Sequence, residues 1–241
     1  MGVKYVLFDL DGTLLPMDQE VFIKSYFGKL AKKLVSYGYD TEEVITHTWN
    51  GARRMVKNDG RATNAEVFWE YFTSVYGAER ISKDMPVFDE FYRVDFDLVK
   101  ADCGFNPEAA ATVRAIRDMG LKVFLATNPI IPATATEHRI RWAGLEPSDF
   151  EIYTTFENCC YAKPNPKYYL ELLDKIGAKP EECLMVGNDV DEDMMTRELG
   201  MKVFLLTDCL INKNNKDISQ YPKGSFCDLL KYIDSEILQV K

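Results

Sequence analysis

The sequence predicts a doubly wound α/β protein. A five-stranded parallel sheet is covered by helices on both faces, and a block of helices is inserted after the first strand. Three observations carry this. From residue 104 onward, short apolar runs alternate with helical stretches of about 10 to 15 residues, the pattern that right-handed βαβ crossovers require. Several of these runs end in short polar motifs, at the strand ends where such sheets hold their ligands. Between Pro16 and Lys100 no strand signal interrupts a helical pattern.

The first strand is Val3 to Phe8, an apolar run with β-branched and aromatic members that reads as buried. It leads straight into Asp9-Leu10-Asp11-Gly12-Thr13. Residues two apart on a strand share a face, so Asp9 and Asp11 can lean toward one small volume while Gly12 allows the sharp turn. Turn formation alone explains Asp11-Gly12. It does not explain Asp9, which abuts Phe8 inside the apolar run.

After Pro16, four helices are expected. Asp18 caps the first, whose apolar positions Val21, Phe22, Tyr26, Leu30 and Leu34 keep helical spacing to Gly38. Thr41 with Glu42 and Glu43 opens the second. A capping box from Thr63 to Glu66 starts the third, and Pro86 is read as the first turn of the fourth. Trp49, Phe68, Trp69 and Phe72 read as the core of this insert. His47, Arg53, Arg54 and Lys57 are candidate substrate contacts, although the three cations equally suit a wet helix face. Leu15-Pro16-Met17 and Asp102-Cys103-Gly104 are the expected hinges. They give a core of residues 1–15 and 104–241 and an insert of residues 16–103.

Asn106-Pro107-Glu108 starts the next helix, followed by a strand over Leu121 to Ala126 that ends in Thr127-Asn128. A helix from Pro132 to Trp142, a short strand near Ile152 and a helix from Pro166 to Gly177 come next. The strand Cys183 to Val186 ends in Gly187-Asn188-Asp189, with Asp193 four residues beyond Asp189. A helix over Asp191 to Leu199, a strand over Lys202 to Leu206 and a closing helix over Ser225 to Leu238 complete the chain. The five core strands thus start near residues 3, 121, 151, 183 and 202.

Composition excludes several classes. At 241 residues, 46% apolar and 12% aromatic, the chain can bury a real core, so disorder is not expected. A formal net charge of −9 argues against nucleic acid or an anionic membrane as partner. The six cysteines form no C-x-x-C pair and read as reduced thiols. Two histidines, His47 and His138, are too few for a zinc site or a Ser-His-Asp triad. Neither a leader pattern nor a membrane-length apolar stretch is present, so a cytoplasmic protein, monomeric or homodimeric, is expected.

Each strand end has a chemical reading beside a bland one. Thr127 and Asn128 can cradle phosphate or simply form a turn. Lys163, just before a helix, can set a point charge against phosphate or Asp9 or be solvated surface. Asp189 and Asp193 can complete an oxygen shell for Mg²⁺; Asp191 and Glu192 read as acids favouring a helix N-terminus.

Taken in order, Asp-x-Asp, Thr, Lys and Gly-x-Asp-x-x-x-Asp resemble the four motifs of the haloacid dehalogenase-like (HAD) hydrolase superfamily, phosphoglycolate phosphatase-like members above all. The resemblance implies a Rossmann-like core in the strand order 3-2-1-4-5 with a helical C1 cap. It implies a Mg²⁺-dependent phosphatase acting on a small phosphorylated metabolite. Asp9 would be the nucleophile and Asp11 the general acid and base. Thr127, Asn128 and Lys163 would hold the transferring phosphate, and Asp9, Asp11, Asp189 and Asp193 would form the metal site. Asn188 departs from the family's usual Gly-Asp, and spacing favours Asp189 as the first acid.

A phosphomutase shares all four motifs. A dehalogenase would need no Asp11, and a phosphono-bond hydrolase would need a cap lysine that nothing marks at Lys57 or Lys83. A signalling receiver domain is about half this length, and a non-catalytic binding protein would not need these groups together.

Overall fold

The structure, a computed structural model, describes residues 2–238. Its sheet is built from β1 (Tyr5–Phe8), β2 (Lys122–Leu125), β3 (Cys183–Gly187), β4 (Lys202–Leu206) and β5 (Lys223–Gly224), in the order β2-β1-β3-β4-β5. All pairings are parallel, with Phe8 level with Leu125 on one side and Val186 on the other. The polar ends of β1, β2 and β3 therefore lie side by side.

Strand alternation sorts the core. Val6, Phe8, Val123, Leu125, Leu184, Val186 and Phe204 share one apolar cluster with Val113 and Ile116 of α5 (Pro107–Asp118) and with Phe226 and Leu229 of α8 (Phe226–Tyr232). Leu7, Phe124, Met185, Val203 and Leu205 join Tyr168, Tyr169, Leu172 and Leu173 of α7 (Pro166–Ile176) in the other. Each such fully buried side chain contributes about 1.5–3 kcal/mol.

Two expectations about the sheet change. The strand near residue 151 reduces to an extended segment outside β2, joined by a single parallel bridge between Leu125 and Tyr153. It still makes backbone hydrogen bonds between Leu125 N–H and Ile152 O (2.9 Å) and between Thr154 N–H and Leu125 O (3.1 Å). The sheet gains β5 instead, a two-residue edge that no apolar run announces.

The insert is helical: α1 (Gln19–Val35), α2 (Thr41–Val56), α3 (Asn64–Tyr76) and α4 (Ala78–Arg93), then a 3-10 run over Asp95–Asp102. Asp18, Asp40 and Thr63 cap the first three, the last with the reciprocal Glu66 contact. Pro86 lies inside α4 rather than at its start. The true start, after Gly77, has no side-chain cap, so nothing local announced it. The two crossings to the insert meet each other, with Met17 bridged to Cys103 and Gly104 N–H donating to Pro16 O at 2.7 Å.

Two further helices change. The segment expected to be helical from Asp191 forms only a 3-10 run over Met194–Leu199, and the closing helix passes at Ile233–Leu238 into a π-helical turn. All six cysteines are free. Among the described residues, no helix is long and apolar enough to cross a membrane.

Candidate active site

Asp9 follows β1 directly and is 7% exposed. Its parity is that of Leu7, so it faces the layer that holds α7. There Lys163, 1% exposed, donates to Asp9 Oδ1 at 2.8 Å and to Asp193 Oδ1 at 2.6 Å. Burial works against the Lys163 charge, but the flanking Asp193 and Asp9 carboxylates outweigh it and hold the ammonium well above its ordinary range. Asp193 Oδ1 also accepts from the Tyr169 hydroxyl at 3.3 Å, and its Oδ2 accepts from Asp189 N–H at 3.1 Å. Burial pushes the Asp193 carboxyl upward, with Lys163 opposing.

Two glycines make room for this packing. A Cβ on Gly187 would lie 2.1 Å from Asp193 Oδ2, and one on Gly12, whose φ is +84°, would lie 2.3 Å from Asn188 Nδ2. Neither position admits a side chain without displacing a polar group.

Thr13 places its hydroxyl 2.9 Å from Asp9 Oδ2 and 2.9 Å from Asn188 Oδ1. Its single proton favours the charged acceptor. Asn188 also donates to Cys209 O at 2.7 Å. Asp189 Oδ1 accepts from the Asp191 and Glu192 N–H groups at 2.7 and 2.9 Å. One of its oxygens therefore braces the turn.

Asp11 is paired with Arg139, a fully buried residue of α6 (Ala133–Trp142). Arg139 also donates to Thr136 Oγ1 at 3.0 Å. Asp11 Oδ1 is shut off from solvent without a partner. Burial raises the Asp11 carboxyl above its ordinary range, Arg139 opposes, and the neighbouring Asp9 adds to the rise.

Thr127 Oγ1 and Asn128 Oδ1 are likewise buried without partners. The Thr127 carbonyl accepts from Thr154 Oγ1 at 2.7 Å and from the Tyr168 hydroxyl at 3.0 Å, which fixes the turn after β2. Unsatisfied buried polar atoms are costly, and three at the ends of β1 and β2 mark a place for a polar ligand.

Asp9, Asp11, Asn128, Asn188, Asp189, Glu192 and Asp193 line one cavity of about 210 Å³. The predicted acids from β1 and β3 do meet, and Lys163 and Thr127 lie in the same neighbourhood. Glu192, read from sequence as a helix-terminus acid, lines the cavity instead, and burial pushes its carboxyl up to about 8. The insert cations do not reach this cavity. Arg53, Arg54 and Lys57 line a separate open groove, and His47 Nδ1 pairs with the Tyr71 hydroxyl at 2.7 Å.

Sequence reasoning missed Arg139 and Thr13. Arg139 left one signal: it occupies the buried stripe of α6 with Ala135, Thr136 and Ile140, where a charge needs a partner. Thr13 was visible within the motif but reads there only as a turn residue.

The donor set suits a hard divalent cation. Every group is an oxygen, and five carboxyls, those of Asp9, Asp11, Asp189, Glu192 and Asp193, face two cations, Lys163 and Arg139. Among the described residues, no three His, Cys, Asp or Glu groups could hold an ion by themselves. Mg²⁺ keeps several waters and binds through one or two carboxylates, so this set fits it.

Residues 3–200 match the family described as "Hydrolase: haloacid dehalogenase-like hydrolase". A glyceraldehyde 3-phosphate phosphatase of Methanopyrus kandleri is 24% identical over 193 residues, 80% of this chain and 78% of the relative. A phosphoglycolate phosphatase of Aquifex aeolicus is 23% identical over 98% of this chain and 100% of the relative. Among solved structures, a 2-haloacid dehalogenase from Pseudomonas syringae pv. Tomato superposes with a TM-score of 0.61 at 18% identity, covering 96% of this chain and 98% of that one. That likeness shows the fold alone.

Proposed function

The chain belongs to the haloacid dehalogenase-like hydrolases, and we propose that within them it is a Mg²⁺-dependent phosphatase acting on a small phosphate monoester through an aspartyl-phosphate on Asp9. The observation that carries this is the pairing at the end of β1. Asp9 meets Lys163 at 2.8 Å, while Asp11, two residues on, lines the same cavity with its carboxyl raised by burial. The likeness to phosphatases of small phosphorylated compounds supports the same reading. A halide leaves without a proton, so a dehalogenase would have no use for Asp11.

In this reading an Asp9 oxygen attacks phosphorus as the bond to the leaving oxygen breaks, and the Asp11 proton passes to that oxygen. Asp11, now a carboxylate, takes a proton from water. The water attacks phosphorus, releases phosphate and restores the Asp9 carboxylate. Thr127, Asn128 and Lys163 hold the phosphoryl oxygens, since such transfer depends chiefly on positioning and charge neutralisation.

Mg²⁺ would be held by Asp9, the Asp11 carbonyl and Asp189, and when bound it supplies charge that lets a carboxylate approach a phosphate dianion. Asp193, with both oxygens engaged, is assigned to anchoring Lys163. Residues 16–103 are assigned as a cap over the core of residues 1–15 and 104–241, excluding water and reading the leaving group.

The test is phosphate release from p-nitrophenyl phosphate with and without Mg²⁺. Release that depends on Mg²⁺ and disappears in Asp9→Asn supports the reading; unchanged release in that variant overturns it. An isomerised sugar phosphate in place of free phosphate would indicate a mutase.

A further inference from the structure

The cavity that gathers the acids is finished by a wall of different chemistry. The approach to α1 and its first turns contribute Met17, Gln19, Phe22 and Ile23, and the loop after β2 contributes Ile130 and Ile131. No lysine, arginine or histidine is among the residues lining this cavity. The two nearby cations are committed elsewhere, Lys163 to Asp9 and Asp193 and Arg139 to Asp11. Ile23, Ile130 and Ile131 also line an adjoining apolar space of about 60 Å³, bounded further by Phe27, Trp49 and Phe68. Apolar surface therefore continues outward from the acids toward the insert.

A phosphate seated against Asp9 and Lys163 would direct its alcohol half at this wall. An anionic group against Met17, Phe22, Ile23, Ile130 and Ile131 would lose its water and find no lysine, arginine or histidine to pair with, which opposes it. Gln19 is the one polar side chain that the approach to α1 adds, and it suits a neutral donor or acceptor. At about 210 Å³ the cavity is smaller than the roughly 300–1,000 Å³ of drug-sized sites, which disfavours a bulky leaving group.

We infer that the substrate is a phosphate monoester whose alcohol half is small, uncharged and largely apolar, and that esters carrying a carboxylate are discriminated against. This rests on the phosphatase reading above and narrows it. It also separates this chain from the phosphoglycolate-hydrolysing activity named for one of its relatives.

The test measures kcat/KM of the full chain with Mg²⁺ on n-butyl and phenyl phosphate against phosphoglycolate and 3-phosphoglycerate. The neutral esters are expected to be favoured by at least about tenfold. Ile23→Lys, at a half-buried position of α1, places a cation on the wall and is expected to shrink that preference by at least about tenfold. Phosphoglycolate turned over as well as the neutral esters overturns the substrate class, and an unmoved preference in Ile23→Lys overturns its location. Phosphate release from none of the esters overturns the phosphatase reading itself.

Discussion

Arg139, fully buried on α6, is held against the carboxylate of Asp11, the second acid of the motif that ends β1. The guanidinium comes from an element that begins after a different strand, so the pair joins residues 128 positions apart. Arg139 bonds Asp11 Oδ2 and leaves Oδ1 without a partner. In the proposed mechanism, that free oxygen is the one that would carry the proton.

If Arg139 positions the general acid, its loss should matter in proportion to how much the leaving group needs a proton. Arg139→Lys is expected to lower kcat on an alkyl phosphate by about 10²-fold, the lower range for general acid catalysis. On p-nitrophenyl phosphate, whose leaving group departs as an anion, the loss should be at least about tenfold smaller. Equal losses on both esters would indicate a structural role.

Asp9→Asn should reduce Mg²⁺-dependent phosphate release by at least about 10³-fold, as loss of a covalent nucleophile does. Circular dichroism should remain unchanged, because Thr13 and Lys163 keep hydrogen-bonding partners at that position.

Lys163→Met leaves Asp9 and Asp193 without their shared cation in a buried site, which should destabilise the protein by about 3–5 kcal/mol. Lys163→Met combined with Asp193→Asn should recover part of that loss in a urea titration and none of the activity.

Mg²⁺ at about 100 times its dissociation constant should stabilise the folded chain by roughly 2.7 kcal/mol, read as a rise in Tm. Asp189→Asn should abolish this shift. Asp193→Asn should retain most of it, because both Asp193 oxygens already serve Lys163, Tyr169 and the Asp189 N–H group.

Lys4 and Glu182 close the far end of the sheet at 2.6 Å. The Lys4 hydrogen bond holds the Glu182 carboxyl below its ordinary value of 4.5. A lowered folded pKa contributes stability above the unfolded value and loses it as pH falls through the folded one. The Tm difference between wild type and Glu182→Gln should therefore be present at pH 7 and shrink as pH drops below about 4.5.

Much of this was legible locally. Apolar runs ending in acids gave β1 and β3; Asp18, the Thr41-Glu42-Glu43 start and the Thr63–Glu66 capping box gave three helices of the insert, the second of them capped in the structure by Asp40. Where local signals were weak or misleading, the reading slipped. Pro86 looked like a helix start because the real one, after Gly77, carries no side-chain cap. β5 owes its existence to the edge of β4 and has no apolar pattern of its own.

The sequence by itself determined the parallel α/β core, the helical insert and the acids at the ends of β1 and β3, because strand periodicity and capping chemistry act over a few residues. Only the tertiary structure decided that Arg139 meets Asp11, that Asp193 is bound to Lys163, and that the cavity's other wall is apolar. Those facts depend on which distant side chains share a buried volume. There an unpaired charge is costly enough to select its partner, and spacing along the chain carries no record of that choice.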